Sequence, residues 1–94
     1  MNLQGTLQEK LIKALKARDE AKTGVLRMIL AQIKEASIEK QAKITDEEVA
    51  DILRRQQKQR IEAIKFYQKA GRKDLVEKEE AEKKIIESFL KLSA

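Results

Sequence analysis

Leu3, Leu7, Leu11, Ala14 and Leu15 recur at three- and four-residue intervals, the spacing that stacks side chains on one face of a helix. They predict a first helix from about Leu3 or Leu7 to Ala17, with Thr6 and Glu9 in the Ser/Thr-x-x-Glu form of a capping box. Asp19 is placed to cap a second helix whose run Val25, Leu26, Met28, Ile29, Leu30, Ala31 and Ile33 is apolar around most of its circumference. Such a helix needs cover from several sides, so it is expected at the centre of the fold, reaching about Glu39. A second capping-box pattern, Thr45 to Glu48 with Asp46 and Glu47 between, opens a third helix where negative charge complements the macrodipole. Its stripe starts with Val49, Ile52 and Leu53 and resumes with Ile61, Ile64, Phe66 and Tyr67. Gly71 supplies the left-handed stop, and Asp74 is expected to cap a fourth helix carrying Leu75, Val76, Ala81, Ile85, Ile86, Phe89 and Leu90.

No strand-like alternation interrupts these helices, and the connections between them are short, so successive helices are expected to be antiparallel neighbours. The predicted fold is all-α: an elongated antiparallel bundle of about four helices, ending in a helical hairpin at Gly71, with residues 1–94 forming one domain. A helix of about 25 residues is about 37 Å long, which favours an elongated shape.

Composition narrows the chemistry. The chain has no histidine, cysteine, proline or tryptophan. Disulfides, imidazole and thiolate metal sites, and Ser-His or Cys-His nucleophile pairs are therefore ruled out. No metal and no cofactor is expected. With no long apolar run and no basic-then-apolar leader between Met1 and Lys10, the reading is of a cytoplasmic protein with no membrane partner. The net charge of +5 favours anionic partners slightly, and its placement matters more than its size.

The polar run Arg54-Arg55-Gln56-Gln57-Lys58-Gln59-Arg60 interrupts the third helix where its periodicity calls for apolar groups near Gln56, Gln57 and Arg60. It is either a groove for a phosphate- or amide-bearing partner, or a section that is solvated or satisfied by polar groups of a neighbouring helix. From Arg54 to Lys73, the cations Arg54, Arg55, Lys58, Arg60, Lys65, Lys69, Arg72 and Lys73 face Glu62 alone. The following segment is mainly acidic. These cations are the candidate nucleic-acid-binding residues: Arg54, Lys58, Lys65, Lys69 and Arg72 fall close together at helical spacing, as a stripe that follows a phosphate backbone by charge. The plainer alternative is that opposite charges only set the pairing of the hairpin. Arg27 sits within the most apolar run, so a buried salt bridge to Glu79 or Glu82 is expected. No catalytic residue is assigned: the serines and threonines lack an activating histidine, and Gly5, Gly24 and Gly71 are isolated.

Leu26-Arg27-Met28, Thr45-Asp46-Glu47-Glu48-Val49, Lys58-Gln59-Arg60 and Tyr67-Gln68-Lys69-Ala70-Gly71-Arg72-Lys73-Asp74-Leu75, followed by Glu79 and Glu82, occur in an order and spacing that resembles the GatB/YqeY family from about Leu7 to Leu90. The resemblance implies a helical protein similar to the YqeY proteins, cytoplasmic relatives of the tail of the tRNA-dependent amidotransferase B subunit. In that enzyme the related tail helps to hold tRNA. The chain departs from the family after Phe89-Leu90, where a proline and a second helical domain usually follow. That second domain is expected to be absent, leaving Phe89, Leu90 and Leu92 exposed and favouring a homo-oligomer. The resemblance implies a non-catalytic accessory domain whose candidate partners are tRNA or a tRNA-handling enzyme. The alternatives are a protein-interaction module without a nucleic-acid role and the inherited family activity, a carbon–nitrogen ligase with glutamine as amido-N-donor.

Overall fold

The computed structural model describes residues 2–93. Four helices follow one another: α1 (Leu3–Lys16), α2 (Glu20–Lys40), α3 (Asp46–Lys69) and α4 (Lys73–Leu90), with a short 3-10 turn at Lys91–Ser93. The described residues contain no strand. α1 packs along α2 and α3 along α4, and α2 also touches both α3 and α4. Principal extents of 43 × 30 × 24 Å agree with the elongated bundle expected from the helix lengths.

Local chemistry explains where the helices start. Asp19 caps α2, its Oδ1 accepting from the Lys22 amide at 3.0 Å. At α3 the capping box is complete: Thr45 Oγ1 accepts from the Glu48 amide and Glu48 Oε1 accepts from the Thr45 amide. Two expected caps are corrected. α1 begins before Thr6, and Asn2 caps it by accepting from the Gly5 amide at 2.7 Å. Asp74 lies inside the first turn of α4, where it takes Arg72 instead of capping the helix.

The helix ends share one device. At Gly71 (φ 69°) the Arg72 amide donates to the Tyr67 carbonyl and the Gly71 amide to that of Gln68, the paired bonds of a Schellman turn. The same pairing recurs at Arg18 and Gln41, which hold φ of 55° and 57° without being glycine.

The core gathers Leu7 of α1, Leu26, Ile29 and Ile33 of α2, Val49 and Leu53 of α3, and Ile86 and Phe89 of α4, all fully buried. α2 supplies three of these and contacts every other helix, as its apolar run foretold. Its cover is incomplete, however. Glu20, Gly24, Arg27, Ala31 and Ile38 form an exposed strip at three-, four- and seven-residue intervals. Phe89 is buried, not left open as expected, while Leu90 is half-buried and Leu92 exposed. The start of α1 is fastened to the start of α3 by the Leu3 amide, which donates to Asp46 Oδ1 at 2.9 Å.

Candidate functional site

The expected stripe lies on α3, and the packing of α3 against α4 decides which of its cations face outward. Val49, Leu53, Gln56, Arg60 and Ile64 follow at three- and four-residue steps along the face that meets the core. Gln56 and Arg60 therefore occupy apolar register positions. Gln56 is 3% exposed. Arg60 Nη1 reaches Glu79 Oε2 at 3.0 Å and Glu82 Oε2 at 3.6 Å, while Nη2 donates to Gln56 Oε1 at 3.1 Å and contacts Met28 Sδ at 3.4 Å. Gln57 Nε2 donates to Glu87 Oε2 of α4 at 3.0 Å. The polar interruption of α3 is thus satisfied by α4 at Gln57 and Arg60 and by Arg60 itself at Gln56, and it is not an open groove there.

This arrangement corrects the expectation for Arg27, which is exposed and makes no ion pair among the described residues. The partner of Glu79 and Glu82 is Arg60. Arg27 has apolar neighbours in sequence, but it shares its strip with Gly24 and Ala31, residues too small to require burial. The register of the α3 stripe was the signal that could have identified Arg60.

The remaining cations divide into two sets. Arg54 is held on its own helix by Asp51 at 2.6 Å and Glu47 at 3.6 Å, and Arg72 is held by Asp74 at 3.2 Å. The Asp74 carboxylate, hydrogen-bonded by that guanidinium, raises the Arg72 pKa, and Arg72 in turn lowers that of Asp74. Arg55, Lys58, Lys65, Lys69 and Lys73 are exposed and make no ion pair among the described residues. Lys58, Lys65 and Lys69 recur at intervals of seven and four on the side of α3 away from the core and extend over about 16 Å of helix. Arg55 lies close to this row, and Lys73 begins α4 just beyond its end. Glu62 is the acidic residue among them.

The end of the row reaches the α3–α4 turn. There Tyr67, Gly71 and Val76 help to line a groove of about 370 Å³, and Phe66 and Tyr67 meet edge to face with ring centroids 5.6 Å apart. The sequence pattern puts both rings in the apolar stripe, yet Phe66 is exposed and Tyr67 half-buried. Among the described residues no group of three or more acidic side chains is placed to hold a metal ion, and no helix is long and apolar enough to cross a membrane.

The row of cations without an ion-pair partner among the described residues ends beside the exposed Phe66 ring. Comparison with known proteins gives it a family setting. The family model described as Yqey-like protein matches residues 4–93. An uncharacterized protein of Schizosaccharomyces pombe is 34% identical over 89 residues, covering 95% of this chain and 72% of the relative. The protein named Altered inheritance of mitochondria protein 41, mitochondrial, is 36% identical over 85 residues in Eremothecium gossypii and 37% identical over 84 in Kluyveromyces lactis. The chain spans just under half the length of these last two relatives, 46% and 45%. Their names overturn the cytoplasmic location expected from the sequence, because they point to the mitochondrion. A match running from the first turn of α1 to the end of the 3-10 turn, through both halves of the Arg60 cluster, means that the chain belongs to the YqeY-like family.

Proposed function

We propose that this chain is a non-catalytic helical accessory domain that binds tRNA, or a tRNA-handling enzyme with its RNA, by charge along the outer face of α3. The observation that carries the reading is the row Lys58, Lys65 and Lys69, which no carboxylate clasps among the described residues. Arg55 and Lys73 add to it at either end. Arg54, Arg60 and Arg72 contribute less because carboxylates already hold them. Binding of this kind positions a phosphate backbone and carries little base specificity. The carbon–nitrogen ligase reading has less support: the carboxylates Glu79 and Glu82 of α4 are both directed at Arg60.

Filter binding of tRNA across a salt series tests the proposal. Replacing Lys58, Lys65 and Lys69 together with glutamine is expected to weaken binding at low salt and to flatten the slope of log affinity against log salt by about 2 to 3, close to one for each phosphate no longer neutralised. Arg54→Gln is expected to change the slope little. A triple variant with the wild-type slope would reject the α3 surface. The alternative of a protein-interaction module draws on Ile12 and Leu15, exposed one turn apart on α1. Two such residues make only a small patch, so the cation row favours the first reading.

A further inference from the structure

The α3–α4 tip combines features that the charge row alone does not use. Phe66, 67% exposed, is the most exposed large hydrophobic side chain of the described residues. It stands in the last turn of α3 with Tyr67 edge-on at 5.6 Å, a contact that steadies the ring without covering it. Beside it, Tyr67 and Val76 give the groove its apolar wall, and Gln68, Lys73 and Glu77 give it polar groups. Arg72 and Asp74 neutralise one another. That leaves Lys65, Lys69 and Lys73 against Glu77 and, one turn before Phe66, Glu62, so the tip is net cationic as well as aromatic.

We infer that this tip is a stacking platform for an unpaired nucleotide of single-stranded RNA: a base lies on Phe66 while Lys65, Lys69 and Lys73 hold the flanking phosphates. The inference deepens the proposed function and rests on it for the class of partner. Charge complementarity requires an anion, and the exposed ring calls for a ligand with a flat apolar face. An unpaired nucleotide offers both together, whereas the bases of a duplex are stacked away inside it.

Tyr67 is the one tyrosine in a chain with no tryptophan, so its fluorescence reports directly from the tip. The probes are a short unstructured oligouridylate RNA and an RNA duplex carrying the same number of phosphates. The oligouridylate is expected to quench Tyr67 more than the duplex does. Phe66→Ala is expected to weaken oligouridylate binding by roughly 5- to 150-fold, the effect of losing one base–aromatic stack, with the salt slope and the melting curve unchanged. Phe66→Trp is expected to restore affinity. Wild-type affinity in Phe66→Ala, equal quenching by the duplex, or a wild-type dimer that Phe66→Ala converts to monomer in sedimentation would each overturn the platform. The two proposals fail separately. Loss of oligouridylate affinity in Phe66→Ala with an unchanged tRNA salt slope on replacing Arg55 and Lys58, the members of the row outside the tip, with glutamine sinks the extended α3 row and supports the tip. The opposite pattern sinks the tip alone.

Discussion

Arg60→Met is the substitution that probes the bundle most sharply. The change keeps an unbranched side chain beside Met28 but removes the guanidinium that Glu79, Glu82 and Gln56 share. Removing one member of a fully buried ion pair costs about 3 to 5 kcal/mol, since the other charge is left desolvated. Here the side chains of Arg60, Glu79 and Glu82 are 17%, 13% and 18% exposed, so the two glutamates can turn part-way to water. That discount brings the expected loss to about 2 to 3 kcal/mol. For a chain of this size the loss lowers Tm by roughly 10 to 20 °C. Urea denaturation followed by circular dichroism measures it. The exposed control Arg54→Met is expected to cost at most about 1 kcal/mol. Replacing all three charges, with Arg60→Met, Glu79→Leu and Glu82→Leu, is expected to recover most of the loss, because a packed apolar cluster is often as stable as the ion pair it replaces. Equal effects from Arg60→Met and Arg54→Met would refute the buried-cluster argument.

Two further outcomes follow from backbone and cap geometry. At Gly71 an added Cβ would meet nothing within 4 Å, so Gly71→Ala carries only the backbone strain of φ 69°, about 1 to 2 kcal/mol. Gln41→Gly relieves the same strain at φ 57° and is expected to gain about 0.5 to 1 kcal/mol; thermal melts showing opposite signs for the two variants check the reasoning. The Glu48 carboxyl is pulled from 4.5 down to about 2, first by the hydrogen bond from the Lys40 ammonium and then by the Thr45 amide and hydroxyl. A carboxylate depressed on folding stabilises above its unfolded value and loses that contribution as pH falls from about 4.5 toward 2. Glu48→Gln is expected to flatten the acid limb of the stability–pH curve over that interval, and an unchanged limb would refute the assignment.

The helices were legible because their signals are local. Asp19, the Thr45–Glu48 box and Gly71 mark boundaries through bonds within a few residues. The left-handed ends at Arg18 and Gln41 were not legible, since neither residue favours that conformation and the fold imposes it. The apolar stripe of α3 located the interruption at Gln56 and Arg60, but whether it opened to solvent depended on what α4 carried opposite it. The exposure of Arg27 is not legible from its apolar sequence neighbours, because they are not its neighbours in space. Phe66 is exposed because it follows Ile64 and precedes Tyr67 without sharing their face of the helix.

The same pairing that buries Arg60 leaves the lysines of α3 free to act. α4 carries enough carboxylates to neutralise much of α3 if they lay over its outer face. Instead Glu79 and Glu82 point to Arg60 and Glu87 to Gln57, all on the inner side of the hairpin. Their field is therefore directed toward groups in the α3–α4 contact, while Lys58, Lys65 and Lys69 are exposed on the side of α3 away from the core. Opposite charge sets how the hairpin pairs, and that pairing does not neutralise the outer face. The two readings of the charge pattern, structural glue and anion surface, are accordingly not competitors: the first accounts for Arg60, and the second concerns the cations it leaves over.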